Sequence, residues 1–367
     1  MTPPRKTPLH EIHQRLGATF TEFAGWEMPL RYSGDTNEHN AVRNTAGLFD
    51  LTHMGELRVS GPQAAEAMDY ALVANASAIR VGRARYTMIC DEAGGVLDDL
   101  IVYRTGEREF LVVANAANAA VVSSELAERV SGFDVDYTDQ SEEYALVAIQ
   151  GPVAKDVLAP LTDIDLTEVR YFAGYPGRVA NCDVLLARTG YTGEDGFELF
   201  TSVNDAATVW QALSEGGASY GLRPAGLACR DTLRLEAGMP LHGHELSTEV
   251  TPFEANLGRV VRLDKTGDFV GRAALADAAE RTPERTLVGL RGTGRRAPRH
   301  GYRVLDGDGA DVGVVTSGAP SPTLGHPIAM AYVDQTSAKT GAELQVDIRG
   351  KAVAVEVVEP PFYSRNR

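Results

Sequence analysis

The chain has 367 residues, 44% of them hydrophobic and 23% charged, enough for a sizeable core and more than one ordinary domain needs, so two or three domains are expected. A net charge of −15 repels DNA, RNA and other polyanions on average, which excludes nucleic acid as the expected partner. No run approaches the roughly 20 apolar residues that cross a bilayer. The polar, Pro-rich start Met1–Lys6 lacks the apolar core of a secretory signal, so a cytoplasmic chain without membrane contact is expected.

The first predicted element is a helix: Thr7 caps it, Pro8 suits its first turn, Leu9, Ile12 and Leu16 fall at helical spacing, and Gly17 ends it. Phe23–Leu30 reads as a loop that folds back onto the body, because two aromatics and a Met stand beside Gly and Pro. A strand–Gly-Pro–helix pattern then occurs twice, at Glu56–Ser60 with Gly61-Pro62 and at Tyr144–Ile149 with Gly151-Pro152, which suggests related α+β units. Between them a β-meander is predicted over Arg85–Cys90, Val96–Tyr103 and Phe110–Ala114, followed by a helix over Asn118–Val130. Further helices are predicted near Val203–Leu213, Pro224–Glu236 and Arg272–Arg281. From Thr286 short β-rich runs alternate with Gly, Asp and Pro turns, the pattern of a small all-β barrel, with Asp277–Arg285 as its linker. The three cysteines, Cys90, Cys182 and Cys229, have no C-x-x-C spacing and read as buried free thiols.

Three segments could carry chemistry. In Val96–Tyr103, Asp99 shares a strand face with Leu97, Ile101 and Tyr103, and Asp98 shares the other with Val96, Leu100 and Val102. Both faces are otherwise apolar, so at least one carboxylate sits in poorly hydrated surroundings. It either handles a proton or cation or, on an edge strand, caps a backbone amide, and parity does not choose between the two aspartates. In Arg188–Phe200, glycines 190, 193 and 196 mark a tight loop, and Glu198 stands in the apolar strand that follows. Glu198 is either one partner of an ordinary hairpin pair or an acceptor of two hydrogen bonds from an amino-substituted heterocycle. In Pro224–Glu236, Arg230 and Arg234 share a helix face, as a structural ion-pair network would arrange them. His53 reads as a satisfied core histidine, and the His242-Gly243-His244 pair lacks a third ligand, so no metal site is expected. Arg291, Arg295, Arg296, Arg299 and His300 form one basic stretch, either an anion site or a solvated loop.

Taken in order, these segments resemble the glycine cleavage T-protein family. The matching motifs are Phe23-Ala24-Gly25-Trp26-Glu27-Met28-Pro29-Leu30, Phe49-Asp50-Leu51-Thr52-His53-Met54-Gly55-Glu56, Gly94–Leu100, Asn115–Asn118 and Arg188–Leu199, then Arg223–Gly226, Arg230-Asp231, Leu235–Gly238, Thr316–Gly318 and Ser321–Gly325. Each is weak alone; the ordered set covers nearly the whole chain. The resemblance implies an α+β, three-domain, cloverleaf-like folate-binding aminomethyltransferase fold with a C-terminal all-β barrel. Residues 1–282 would form the folate-binding catalytic region, of two intertwined α+β subdomains with one spanning roughly 52–140, and residues 283–367 the barrel.

The implied reaction transfers the one-carbon unit from the aminomethyl-lipoyl arm of a partner H-protein to tetrahydrofolate, the co-substrate, with release of ammonia and formation of 5,10-methylenetetrahydrofolate. By the same resemblance Asp99 is the catalytic carboxylate, and Met54, Tyr86, Ile101, Asn115, Tyr171, Tyr191, Glu198 and Arg230 line the folate pocket, with Glu198 on the pterin edge. His242 departs from the family, which usually has Tyr there. A folate-dependent demethylase of a small methylated substrate is the alternative on the same scaffold. The related iron–sulfur maintenance factor is a further alternative, disfavoured because its Lys-Gly-Cys-x-x-Gly-Gln-Glu motif is not found.

Overall fold

The computed structural model describes residues 3–365. In chain order the elements are α1 (His10–Arg15), β1 (Thr19–Phe23), β2 (Trp26–Arg31), α2 (Asp35–Asn44), β3 (Gly47–Asp50), β4 (Gly55–Ser60), α3 (Ala64–Ala71), β5 (Arg83–Cys90), β6 (Val96–Gly106), β7 (Glu109–Ala114), α4 (Ala119–Val130), β8 (Asp136–Asp139) and β9 (Tyr144–Gln150). They continue as α5 (Ala154–Leu158), β10 (Gly174–Val179), β11 (Cys182–Ala187), β12 (Gly196–Ser202), α6 (Ala206–Gly217), β13 (Arg223–Pro224), α7 (Leu227–Glu236) and α8 (Arg272–Ala279). Six strands close the chain: β14 (Arg285–Gly292), β15 (Arg303–Leu305), β16 (Asp311–Pro320), β17 (Pro327–Asp334), β18 (Glu343–Asp347) and β19 (Ala352–Val358). No helix among the described residues is long and apolar enough to cross a membrane.

One compact unit comprises the chain up to Thr87 together with Leu100–Arg230. It holds a sheet of order β10-β11-β12-β9-β3-β13. Strand β9 is central and nearly all apolar, as burial on both faces requires. Helix α6 buries Ala206, Val209, Trp210, Leu213 and Gly217, the stripe of a helix lying on a core. The second unit comprises Met88–Asp99 and Asp231–Arg367. It contains the closed barrel, order β14-β17-β16-β15-β18-β19, around a core that includes Leu290, Val304, Val315, Val333, Val346 and Val357. Closure pairs β14 with β19 and leaves no free sheet edge. The five-stranded sheet β5-β6-β7-β4-β8 carries the predicted meander, and β6 is an internal strand rather than an edge.

The repeated Gly-Pro motif has a backbone reason. Gly61 and Gly151 adopt φ of 143° and 138°. A Cβ at either would meet a backbone carbonyl, Asp134 O at 2.7 Å or Thr45 O at 2.4 Å, so only glycine fits. The helices begin two residues after each proline, at Ala64 and Ala154.

Other local expectations change. Thr7 does not cap α1: its hydroxyl donates to Asp50 Oδ2 at 2.7 Å, and the helix starts at His10. Phe23–Leu30 is a hairpin, because Ala24 and Gly25 both take positive φ, 53° and 78°, the two-residue turn that matches strand twist. Cys90 and Cys229 are buried thiols outside any disulfide, whereas Cys182 is half-buried.

Candidate active site

Strand β12 carries Glu198 between Phe197 and Leu199, both fully buried on the core side. Its carboxyl turns the other way. Thr189 Oγ1 donates to Glu198 Oε2 in a very short hydrogen bond. Tyr103 lies 2.9 Å from the same Thr189 oxygen through its hydroxyl. Burial raises the Glu198 carboxyl above its usual range, while the Thr189 hydroxyl and the Arg230 charge pull it back down. Arg230, in the first turn of α7, lies over the Tyr191 ring at 4.8 Å from its centroid, a cation–π contact. A carboxylate, a guanidinium and an aromatic face are thus gathered on one unit.

The loop before β12 is pinned from behind. Gln150 Nε2 donates to Thr189 O at 3.0 Å, and Thr192 Oγ1 donates to Gln150 Oε1 at 3.0 Å. A Cβ on Gly190 would come within 2.0 Å of the Gln150 side chain and one on Gly196 within 2.5 Å, while Gly193 has φ +81°. Gly196 is required for space, since its Cβ would also meet Ile149 O at 2.5 Å, and Gly193 for conformation, while a Cβ at Gly190 would displace the Gln150 amide that pins the loop. Arg43, on α2, donates to Thr192 O at 2.7 Å and to Glu194 Oε1 at 2.9 Å, with both side chains of that ion pair almost fully buried. Arg188 grips Asp195 through two nitrogens, at 3.0 and 2.5 Å.

The start of α7 is fixed in a similar way. Glu38, fully buried, accepts from the backbone N–H of Tyr32, Ser33 and Gly34 and from that of Gly226. A Cβ at Gly226 would lie 2.3 Å from Leu30 O. Arg43, Gln150 and Glu38 were not singled out from the sequence. Helix α2 carries no strong apolar period, and a lone Gln or Glu gives no sign of the distant backbone it will hold.

The turn after β3 brings Met54 into place, its N–H donating to Leu51 O at 3.0 Å. Buried Asp50 anchors that turn, accepting from Thr7, His13 Nε2 at 2.9 Å and the Thr52 N–H at 2.9 Å. His53 is buried, as expected, but not satisfied: its Nδ1 has no hydrogen-bond partner among the described residues. Burial lowers the ring to about 4, with the Arg230 charge adding to the effect. The imidazole is therefore neutral near pH 7.

Burial in β6 alternates strictly at its start: Val96, Asp98 and Leu100 are buried, and Leu97, Asp99 and Ile101 are half-buried. Asp98 is 0% exposed, so the desolvated carboxylate foreseen from the strand pattern is Asp98, while Asp99 lies on the more open face. Ile101 pairs with Val113 in β7, Tyr86 stands on β5, and Asn115 follows β7, its carbonyl accepting from the Asn118 N–H at 2.9 Å. The site candidates share an intermediate burial, the environment of residues that line a space; only Tyr171 is exposed, at 44%. Glu198, Arg230 and Tyr191 are brought into mutual range, and Tyr171 influences the same Tyr103 that meets Thr189.

In the second unit His242 Nε2 hydrogen-bonds Val96 O at 3.1 Å, which ties the ring to the first residue of β6. Arg234 joins Asp231, Glu245 and Ser317, the ion-pair network expected for this helix, without Arg230. In the basic stretch Arg291 pairs with Glu356, while Arg299 and His300 bond the backbone carbonyls of Gly318 and Thr316. A cleft of about 1010 Å³ opens in the first unit between Arg58, Glu109, Tyr144, Arg178, Asp183 and Phe200. It contains none of the candidate residues; Arg58 pairs with Glu109 and Arg178 with Asp183, and Glu143, Asp163 and Asp205 add acidic side chains to its lining.

Comparison with known proteins gives the family of the chain. Residues 9–265 match the GCVT N-terminal domain, and residues 285–364 match the Glycine cleavage T-protein C-terminal barrel domain. An aminomethyltransferase of Saccharopolyspora erythraea is 74% identical, with 100% of both chains covered. One from Streptomyces coelicolor is 60% identical, covering 99% of this chain and 98% of its own. The crystal structure of the glycine cleavage system aminomethyltransferase T from Bartonella henselae superposes with a TM-score of 0.92 at 38% identity, over 98% of each chain. The chain belongs to the glycine cleavage T-protein family.

Proposed function

We propose that the chain is the aminomethyltransferase of a glycine cleavage system, passing the one-carbon unit of an aminomethyl group, carried on the lipoyl arm of an H-protein, to tetrahydrofolate. The carbon loses its bonds to ammonia and to the lipoyl sulfur and gains bonds to two folate nitrogens, whose protons leave on ammonia and on the dihydrolipoyl thiol. The observation that carries the folate part is Glu198: a carboxyl on an otherwise apolar strand, held by Thr189 and faced by Arg230 and Tyr191. A carboxylate so placed accepts the paired N–H donors of a 2-amino-pyrimidinone edge, while the aromatic face packs on the ring. Met54, Tyr86, Ile101, Asn115 and Tyr171 complete the pocket in this reading.

Asp99, on the more open face of β6, positions folate N10 and assists proton movement as the amine departs, a role that requires access which fully buried Asp98 lacks. His242 holds the β6 backbone and so acts on Asp99 through the strand that carries it. The test is direct. Aminomethylated lipoyl H-protein and tetrahydrofolate should yield ammonia and 5,10-methylenetetrahydrofolate in equal amounts. Turnover of a small N-methyl or S-methyl donor instead, with none from the H-protein, would replace this reading with that of a folate-dependent demethylase.

A further inference from the structure

Two residues behind Glu198 have no role in the reading above. Tyr103 is 2% exposed and Thr189 is 2% exposed, so both are shielded from solvent. They nevertheless form a continuous chain, Tyr103 Oη to Thr189 Oγ1 at 2.9 Å and Thr189 Oγ1 to Glu198 Oε2. The direction of the hydrogens follows from counting. An ionised carboxylate has no proton to give, so Thr189 must spend its only O–H on Glu198; the Thr189 oxygen then accepts, and Tyr103 must donate. With Glu198 ionised the chain has one orientation, and each donation polarises the next. Burial alone favours the neutral carboxyl, which carries a proton on the oxygens that a ring N–H needs as acceptors. Oε2 is held by the hydroxyl.

We propose that Thr189 and Tyr103 are positioning residues that hold Glu198 in one rotamer and in its acceptor form for the amino-pyrimidinone edge of the folate ring. This rests on the reading that Glu198 meets that edge. The selectivity it implies is for heterocycles presenting two adjacent N–H donors, against those presenting an acceptor there.

The experiment is anaerobic calorimetric titration of the full chain with tetrahydrofolate between pH 5.5 and 8.5. Thr189→Val is expected to weaken binding about tenfold at pH 7, the loss of one hydrogen bond to a charged group, and to move the pH midpoint of affinity upward by about one unit. Thr189→Ser, which restores the hydroxyl, should return both to wild type. Tyr103→Phe should move the midpoint in the same direction by less, and it serves as the test if Thr189→Val does not fold. Glu198→Gln, run alongside, separates the two levels. If Glu198→Gln loses binding while Thr189→Val or Tyr103→Phe keeps the wild-type midpoint, the positioning proposal is overturned and the role of Glu198 stands. If Thr189→Ser fails as badly as Thr189→Val, shape rather than the hydroxyl is responsible, and the proposal is likewise overturned. If Glu198→Gln binds tetrahydrofolate normally, the pterin-edge reading itself falls and the proposal with it.

Discussion

His53 gives a prediction whose size can be worked out. Its ring is buried, its Nδ1 has no hydrogen-bond partner among the described residues, and its pKa falls from 6.5 to about 4. The unfolded chain takes up a proton near pH 6.5, whereas the folded chain resists until about pH 4. In that window the unfolded state binds more protons, so stability rises with pH, is complete above 6.5 and is lost as pH falls toward 4. At 1.36 kcal/mol per unit, the whole shift amounts to about 3 kcal/mol, of which about 2.5 kcal/mol is gone by pH 4.5. His53→Phe keeps a ring against Phe23, which His53 meets edge-on at 5.6 Å, and removes the titration. Overpacking adds a cost of about 1–3 kcal/mol, but that cost does not vary with pH. Urea unfolding at pH 7.0, 6.0, 5.0 and 4.5 isolates the effect as the difference in slope between the two proteins. Other groups titrate equally in both and cancel. Parallel curves for wild type and His53→Phe would falsify the assignment of a neutral, desolvated imidazole.

The remaining predictions concern the carboxylates and the pinned loop. Asp99→Asn should lower turnover by about 100-fold or more while leaving tetrahydrofolate affinity within about threefold; steady-state kinetics beside calorimetry decides this. Asp98→Asn should show its main effect in the melting temperature, since Asp98 is fully buried, and a larger turnover loss there than at Asp99 would reverse the choice of residue. Glu56 is 1% exposed, both its oxygens lack hydrogen-bond partners among the described residues, and burial with the nearby Asp139 raises its carboxyl well above the usual range. The folded chain then keeps a proton that the unfolded chain has lost, so above pH 4.5 this group makes stability fall with pH by up to about 1.4 kcal/mol per unit. Glu56→Gln should flatten the decline, and an unchanged slope argues against a neutral Glu56. Arg43→Met strands the buried Glu194 charge and should cost about 3–5 kcal/mol. The additional substitution Glu194→Met should recover part of that loss, and equal loss in the single and double variants would mean the pair does not hold the loop.

Much of the architecture was legible because burial imposes a period. The barrel strands, the meander and the helices α4 and α6 each bury one face, so their apolar spacing shows in the chain. The hairpin at Phe23–Trp26 was missed because its turn uses Ala24 rather than the usual Asn or Gly, and propensity does not register a left-handed alanine. Helix α2 was missed because its buried residues include Glu38, His39 and Arg43, whose burial depends on partners far along the chain.

The candidate site divides in the same way. By itself the sequence determined which residue types stand on apolar strands, that three glycines precede Glu198, and to which family the ordered motifs belong, because composition, period and motif order are local properties. Only the tertiary structure decided that Asp98 rather than Asp99 is the fully buried member of its pair. It also decided that Thr189 and Tyr103 hold Glu198 from behind and that Arg43 and Gln150 pin the glycine loop. Those contacts span as many as 151 positions between Arg43 and Glu194. Which groups meet at such separations depends on how the sheets pack, a collective result that no short stretch of sequence encodes.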